Sequence, residues 1–380
     1  MIVDEPYMKY ALRLARRAIG QTSPNPMVGA VIVKHGRVVG VGYHRRAGLS
    51  HAEAIALRKA GASARGATLY VTLEPCNHTG RTPPCCDAIL AAGIRRVVVA
   101  VKDPNPITNG RGLARLRRAG LQVVTGVLAK EAQEVNAPFW KAMRQRLPFV
   151  VAKAGQSLDG KIATATGESQ WITSAASRRM TQHLRRRVDA ILVGVNTVLR
   201  DDPRLTVRVG RPQARRPLRI ILDSRLRIPL AARCLAGATR QPTLIATTAN
   251  SPAKQQALQR KGVEVLRLPA QGGRVPLARL CRRLVRRGVQ SMVIEGGGEV
   301  LASAFSARLV DRVIIGVAPL LIGGRNAVST IGGGGIRRLS QAIRLTEVTY
   351  HRVGPDLCVE GRVIYPSGHR TSDIGHRAGR

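Results

Sequence analysis

Apolar residues in the first part of the chain repeat with the spacings of helices and strands in turn. Helical spacing covers residues 5–19, and two β-branched runs that meet at His35-Gly36 predict a hairpin. Further helices are predicted over 51–60, from Pro83 to about Ala92, over 112–120 and from about 129 to 145. Strands are predicted between them over 67–74, 95–103 and 121–127. Alternating strands and helices predict a layered α/β sandwich.

The pattern restarts after Arg146-Leu147-Pro148, where a strand opens with PFVVAKAG. We therefore expect one domain over residues 1–147 and a second over 148–365. The second also alternates, with helices predicted over 174–186, 251–260, 276–287 and 299–307. Residues 366–380 are polar and glycine-rich without periodicity, which predicts a disordered tail.

Composition agrees with two domains and raises a question about charge. The chain has 380 residues, of which 44% are hydrophobic and 3% aromatic. Its 62 basic and 22 acidic residues give a net charge of +40, which favours anionic ligands. The excess is spread through both halves, whereas nucleic-acid-binding proteins concentrate it on one face. Two interpretations remain open: arginine-rich solvated surfaces, or a preference for phosphorylated ligands.

The sequence offers no sign of a membrane or secretory protein. It has no apolar run of eighteen residues, and its first residues are acidic where a secretory signal would be basic and then apolar. We therefore expect a cytoplasmic protein that does not span a membrane.

A histidine and two cysteines form a candidate metal site. His51 starts a predicted helix, Cys76 follows a strand and Pro75, and Cys85 comes after eight further residues. One imidazole and two thiolates suit catalytic zinc, with water in the fourth position. Glu53, two residues from His51, is the predicted proton shuttle, since His-x-Glu and Pro-Cys also occur in zinc-dependent nucleobase deaminases. The alternative is a helix-capping histidine with cysteines buried by packing.

The segment 72–86, TLEPCNHTGRTPPCC, resembles the signature of the bifunctional riboflavin-biosynthesis deaminase/reductase family. So do His-Ala-Glu at 51–53 and Pro-Asn-Pro-Met-Val-Gly at 24–29, and the resemblance runs from about residue 5 to about 364. It implies a cytidine-deaminase-like three-layer α/β/α domain. That domain would remove ammonia from 2,5-diamino-6-ribosylamino-4(3H)-pyrimidinone 5′-phosphate.

The resemblance also implies roles for single residues of the first domain. It implies that His51, Cys76 and Cys85 bind zinc and that Glu53 is the general acid/base. The implied contacts to the substrate come from Asn25, His44, His78 and Arg81. Arg81 suits a phosphate by charge and geometry, although a surface arginine is the alternative.

The second domain has no G-x-G-x-x-G after its first strand, so a Rossmann fold is not indicated. Residues 291–299, SMVIEGGGE, predict a strand, a glycine turn and a helix start, which suit a phosphate but also a plain tight turn. Residues 153–161, 167–174 and 197–208 resemble the reductase domain of the same family. The resemblance implies a dihydrofolate-reductase-like α/β domain. With NADPH, that domain would reduce the ribosyl group to ribityl and give 5-amino-6-ribitylamino-uracil 5′-phosphate.

The family pattern implies two sets of reductase residues. NADPH contacts are implied at Gly155, Trp171, Thr197, Asp201, Gly297, Gly298, Glu299, Val300, Leu301, Ala302 and Ser303. Substrate contacts are implied at Ser169, Arg185, Leu205, Arg208 and Glu295, with both arginines directed at the 5′-phosphate. Lys153 and Asp201 are candidates for polarising or protonating the reacting centre, and water is the alternative proton donor.

Two other functions compete with this interpretation. A nucleic-acid zinc deaminase with an accessory domain would explain the charge, but the insert between Cys76 and Cys85 and the full second domain argue against it. A basic nucleic-acid-binding protein with inactive enzyme folds would not need Glu53. We therefore expect phosphorylated pyrimidine substrates, no specific nucleic acid, and a homo-oligomer.

Overall fold

The first β-sheet lies in the N-terminal part of the computed structural model, which describes residues 4–80, 83–210 and 216–366. Its strands are β1 (Gly29–Lys34), β2 (Arg37–Tyr43), β3 (Thr68–Val71), β4 (Arg96–Val99) and β5 (Gln122–Thr125). They lie in the order β2-β1-β3-β4-β5. β1 runs antiparallel to β2 and β3, whereas β3, β4 and β5 are parallel.

Helices cover both faces of this sheet. They are α1 (Asp4–Arg16), α2 (Ala52–Ala60), α3 (Cys85–Ala91), α4 (Arg111–Arg118), α5 (Ala129–Val135) and α6 (Ala137–Gln145). Because side chains alternate along a strand, Ile32 faces α2, α3 and α4, while Val31 faces α1, α5 and α6. The result is a three-layer α/β/α arrangement, as predicted.

The single helix predicted over 129–145 is wrong, because the chain breaks at Asn136 into α5 and α6. Pro138 lies in the first turn of α6 and cannot continue a helix from α5. The buried Asn136 side chain instead binds the backbone of Met27, accepting from its N–H at 2.7 Å and donating to its carbonyl at 2.8 Å. The break therefore ties the start of α6 to the segment before β1.

The second sheet has nine strands. They are β6 (Phe149–Ser157), β8 (Ala190–Gly194), β9 (Leu218–Leu222), β10 (Thr243–Thr247), β11 (Glu264–Arg267), β12 (Ser291–Ile294), β13 (Val310–Ala318), β15 (Arg344–Val353) and β16 (Asp356–Ile364). Their order is β11-β10-β9-β8-β12-β6-β13-β16-β15, parallel from β11 to β13 and antiparallel at β16 and β15.

Helices α7 (Ala175–Arg187), α8 (Val195–Asp201), α9 (Pro252–Arg260), α10 (Leu277–Arg286) and α11 (Gly298–Ser306) accompany the second sheet. Leu280 of α10 and Leu301 of α11 pack on one face, and Leu258 of α9 and Val198 of α8 pack on the other. The short α8 and a ribbon of β7 (Lys161–Ala163) with β14 (Val328–Ser329) were not predicted.

The predicted disordered tail lies, from residue 367 onwards, outside the described residues. Among the described residues, no helix is both long and apolar enough to cross a membrane.

Candidate active sites

The first sheet brings the three predicted metal ligands together at the ends of its elements. His51 immediately precedes α2, Cys76 follows β3, and Cys85 opens α3. His51 Nδ1 lies 3.2 Å from Cys85 Sγ and 3.6 Å from Cys76 Sγ. The three potential ligand atoms all lie within 4.8 Å of one another. The ligands therefore converge although 34 residues separate the first from the last.

The chemistry of these donors fits zinc. The Cys85 thiol, then His51 and the Cys85 backbone N–H at 3.3 Å lower the pKa of Cys76 to about 4, despite its burial. Cys76 is thus a thiolate, the form that binds metals. One imidazole and two cysteines leave the fourth position of a tetrahedral zinc site open.

Glu53 lies beside these ligands at the first turn of α2. Its side chain is buried, and burial raises the pKa of the carboxyl group to about 7. It lines the same cavity, of about 430 Å³, as His51 and Cys76. A carboxyl group next to a metal site, but outside the ligand set, is the arrangement that a proton shuttle requires.

Asn25 and His44 line the same cavity beside the zinc ligands and contact each other, and the ring centre of His44 lies 5.4 Å from that of His51. Asn25 Nδ2 lies 3.1 Å from His44 Nε2, and His44 Nδ1 lies 3.2 Å from the carbonyl of Ser50. Burial lowers the pKa of His44, so the ring is neutral, donates from Nδ1 and accepts at Nε2. Because the side-chain NH2 of Asn25 donates to His44, the side-chain carbonyl of Asn25 is available for a ligand. His78 also lines the cavity, whereas Arg81 lies outside the described residues.

Several lining residues were missed by sequence reasoning. Asp103, Asn105 and Thr108 come from the loop between β4 and α4, and Phe139 and Met143 come from α6. Burial raises the pKa of Asp103 to about 6. The only available signal was that a polar loop follows a buried parallel strand, at the edge where ligands bind in α/β sheets.

Glu74 holds that loop in place. One of its carboxylate oxygens accepts hydrogen bonds from the backbone N–H groups of Asp103 and Gly110, at 3.1 and 2.8 Å. The other accepts from Gly112 and Leu113, at 3.0 and 3.3 Å. Glu74 is buried, so these bonds replace its hydration. The acidic residue before Pro75-Cys76 therefore orders the loop that supplies Asp103, Asn105 and Thr108 to the cavity.

A second cavity, of about 800 Å³, opens at the carboxyl ends of β6, β8 and β12. It collects most of the residues predicted for the reductase: Lys153, Gly155, Ser169, Trp171, Arg185, Thr197, Asp201, Leu205, Arg208, Glu295, Gly297 and Leu301. Its other lining residues include Arg178, Arg179, Arg204 and Arg233, which sequence reasoning missed because arginine is common throughout the chain.

A largely buried ion pair, formed by Arg185 and Glu295, lines this cavity. Arg185 donates to both oxygens of Glu295 at 2.6 Å and to the carbonyl of Thr206 at 2.9 Å. Burial opposes the charge on Glu295, but Arg185 and then Lys153 lower its pKa below the ordinary value. Arg185 therefore first orders Glu295, and only its remaining N–H groups are available for a phosphate.

Lys153 lies on β6 beside this pair. Burial lowers the pKa of its ammonium group, while the charge of Glu295 opposes the shift. Among the described residues, Lys153 Nζ has no hydrogen-bond partner. A half-buried cation of this kind, which lines a cavity, is available to a ligand.

Polar and aromatic contacts shape the mouth of the cavity. Ser169 Oγ donates to Asp201 Oδ1 at 2.5 Å. The guanidinium of Arg178 lies 4.4 Å from the ring centre of Trp171 and donates to the carbonyl of Thr173 at 2.7 Å. A Cβ on Gly155 would come within 2.8 Å of Thr173, so glycine permits this close approach.

The predicted cofactor loop divides in two. Gly297 and Leu301 line the cavity, while the remaining predicted residues, Gly298, Glu299, Val300, Ala302 and Ser303, belong to α11 and are not among the lining residues. Glu299 accepts from the Gly333 N–H at 3.0 Å and from Arg274 at 3.2 Å. Roles for these side chains in NADPH binding stay predictions.

The fold and the two sites define a zinc-dependent deaminase domain joined to a nucleotide-dependent reductase domain. Residues 1–101 match the family model described as the cytidine and deoxycytidylate deaminase zinc-binding region, and residues 148–359 match that of the RibD C-terminal domain. The chain belongs to the RibD family of riboflavin-biosynthesis proteins. It is a bifunctional deaminase and reductase whose cofactors are zinc and NADPH.

Relatives and solved structures match this chain along nearly its whole length. The riboflavin biosynthesis protein RibD of Aquifex aeolicus is 45% identical and that of Escherichia coli 44%, each covering 94% of this chain and 98% of the relative. RibD of Acinetobacter baumannii superposes with a TM-score of 0.86 at 36% identity, over 95% of this chain and 99% of that structure. The Thermotoga maritima structure of a deaminase/reductase gives 0.83 at 32%, with the same coverage. Both predicted fold classes are thereby confirmed.

Proposed function

We propose that the two cavities act in sequence on a phosphorylated pyrimidine. The Thermotoga maritima relative is a diaminohydroxyphosphoribosylaminopyrimidine deaminase and 5-amino-6-(5-phosphoribosylamino)uracil reductase. On this proposal, the zinc-containing cavity deaminates 2,5-diamino-6-ribosylamino-4(3H)-pyrimidinone 5′-phosphate. The reductase cavity then converts the ribosyl group of the product to ribityl. The convergence of His51, Cys76 and Cys85 beside the buried Glu53 is the observation that carries the proposal.

In the deaminase cavity, we assign recognition to Asn25 and His44 and proton transfer to Glu53. A zinc ion on His51, Cys76 and Cys85 would supply charge that favours ionisation of water. Glu53 is placed to take a proton from the attacking water and deliver it to the departing amine, so that the water oxygen bonds to the ring carbon as ammonia leaves. The carbonyl of Asn25 accepts from the pyrimidine, because its amide donates to His44. His78 and Arg81 are proposed to contact the ring and the phosphate.

In the reductase cavity, we assign the reacting centre to the group around Lys153. The two hydrogen bonds from Arg185 hold the Glu295 carboxylate in one orientation. In that orientation Glu295 accepts a hydrogen bond from a hydroxyl of the substrate. Lys153 polarises the double bond between C1′ and nitrogen in the opened sugar or protonates its nitrogen, so that C1′ can take up the hydride, and Asp201, held by Ser169, is the alternative proton donor. Leu205 and Arg208 complete the substrate side, and Arg208 binds the 5′-phosphate.

NADPH is assigned to the remaining wall. Trp171, Thr197 and the turn at Gly297 all line the cavity, and α11 begins directly after that turn. When bound, NADPH supplies a hydride. The helix N-terminus and the backbone of the glycine turn suit its phosphates.

Three broader assignments accompany the proposal. We propose that the domains meet at residues 146–148, between α6 and β6. The chain is proposed to work in the cytoplasm without a specific nucleic acid. We also propose a homo-oligomer, since β15 is exposed along nearly its whole length at the edge of the sheet. Light scattering at several protein concentrations tests the last assignment, and a monomer throughout would contradict it.

The order of the two reactions gives the sharpest test of the proposed function. The purified chain should release ammonia from the diamino substrate without NADPH. NADPH oxidation should begin only after a lag in which deaminated product accumulates, and the deaminated compound added directly should remove the lag. NADPH oxidation that precedes ammonia release would contradict the proposal.

A further inference from the structure

The segment that carries Asn25 into the deaminase cavity is bound by residues of the second sheet. Gln290 Nε2 donates to the carbonyl of Pro24 at 2.7 Å, and Ser23 Oγ donates to Asp189 Oδ2 at 3.0 Å. Gln290 and Asp189 are both buried. These contacts lie directly before Asn25 in the sequence, and Pro24, Asn25 and Pro26 all line the cavity.

Asp189 and Gln290 are themselves rigidly held. Asp189 Oδ2 accepts from the backbone N–H groups of Gln290 and Ser291, at 2.9 and 3.0 Å, and the Gln290 carbonyl accepts from Phe149 N at 2.7 Å. Asp189 directly precedes β8, and Gln290 directly precedes β12. The donors and acceptors for the segment therefore stand at the amino ends of two central parallel strands.

A second group of contacts holds the other side of the same segment. Asn136 binds both backbone groups of Met27, and α6, which begins after it, is anchored by Lys141 to Asp311 on β13 at 2.6 Å. Residues 23–27 thus lie between α6 and the reductase sheet. Among the described residues 22–27, the only internal backbone bond is from Asn25 N to Thr22 O, at 2.8 Å. Its shape consequently depends on the partners on either side.

We propose that Asp189 and Gln290 are positioning residues for the deaminase reaction, although both belong to the reductase domain. They hold the backbone on either side of the Ser23-Pro24 peptide in place. The position of this backbone determines where the side-chain carbonyl of Asn25 contacts the pyrimidine. The inference rests on the proposed contact between Asn25 and the substrate. It implies that the deaminase site is complete only when the reductase domain is docked against it.

The test uses the full-length protein with Gln290→Met, which keeps the side-chain volume but removes the donor to Pro24. The Michaelis constant of deamination should rise about tenfold, the usual effect of losing a buried hydrogen bond. The deaminase kcat, the zinc content and both reductase constants should stay within about twofold of the original values. This split distinguishes positioning from a general loss of structure, which would lower all of them together.

A second variant and a control keep the outcome decisive. Ser23→Ala removes the hydrogen bond to Asp189 by changing the deaminase domain. It should raise the Michaelis constant of deamination about threefold. This variant tests the inference even if Gln290→Met fails to fold. Arg362→Ala is the control, because it removes a different contact between the two domains, the ion pair with Glu134 at 3.9 Å. This variant should leave deamination unchanged.

Asn25→Ala separates the inference from the proposal on which it rests. If Asn25→Ala raises the Michaelis constant and neither Gln290→Met nor Ser23→Ala does, the positioning role is wrong while the substrate contact stands. If Asn25→Ala has no effect, the proposed contact itself is wrong. A uniform loss of zinc, deamination and reduction in both positioning variants would also overturn the inference.

Discussion

The two cavities are lined by side chains of opposite charge. In the deaminase cavity the charged lining residues among those described are acidic, Glu53, Glu74 and Asp103, beside a group of metal ligands. The reductase cavity is lined by six arginines and Lys153 against three acidic residues. A metal ion brings its own positive charge, so the first cavity needs anionic neighbours. A cavity for two phosphorylated molecules needs fixed positive charge. The comparison indicates that part of the +40 charge serves the reductase ligands.

The largest expected effect separates the two reactions. Glu53→Gln keeps the zinc ligands but removes the proton shuttle, so deamination should fall by about 10²–10⁴-fold. Zinc content and NADPH oxidation with the deaminated substrate should not change. Ammonia release and metal analysis measure both, and Glu131→Gln, an exposed acid on α5, is the matched control. Ammonia release near the original rate would remove Glu53 from the mechanism.

The next effect tests the basic side of the comparison. Arg208→Gln should raise the reductase Michaelis constant for the phosphorylated substrate about 10- to 100-fold, because a charge-assisted contact is lost. Deamination should be unaffected. Arg187→Gln changes the charge equally at the exposed end of α7 and should have no effect on either reaction. An equal response of both variants would mean that only the overall charge matters.

A pH dependence should distinguish the half-buried Lys153 from the exposed lysines. Between its lowered pKa in the folded protein and about 10.5, the unfolded chain binds a proton that the folded chain lacks. The free energy of unfolding should therefore rise with pH through that window. Lys153→Met should abolish this rise, and Lys59→Met, at an exposed position, should keep it. Denaturant titrations at several pH values measure the difference between the curves. Parallel curves for all three proteins would contradict the lowered pKa of Lys153.

The smallest effect concerns the cofactor loop. Glu299→Gln should change the Michaelis constant for NADPH less than about twofold, since its side chain binds Gly333 and an exposed Arg274. Steady-state kinetics with varied NADPH measure it, and Thr197→Val in the cavity wall is the comparison that should respond. A large effect at Glu299 would show that its side chain, and not only the backbone nearby, reaches the cofactor.

The two sites also differ in how much the sequence revealed of them. Zinc is bound by only a few side-chain types, and His and Cys are among them, so residues 51–53 and 76–85 predicted a site whose atoms do converge. The helix break at Asn136 has a local signal in Pro138, but the bond to Met27 that holds Asn136 in place was missed because Met27 lies 109 residues away. The paired state of Arg185 was missed for the same reason, since Glu295 is 110 residues further along. Local periodicity predicted most strands and helices, but contacts of this range leave no trace in a local pattern.

The bond between Gln290 and Pro24 joins residues 266 positions apart, which has a consequence for how the protein is made. The ribosome releases the Asn25 segment early and Gln290 late, and at usual elongation rates the interval is about 15–50 s. During that time the zinc ligands can already assemble, since all of them precede residue 86. The nascent chain should therefore acquire its metal before it acquires full affinity for its pyrimidine, and the two capacities should mature in that order during synthesis.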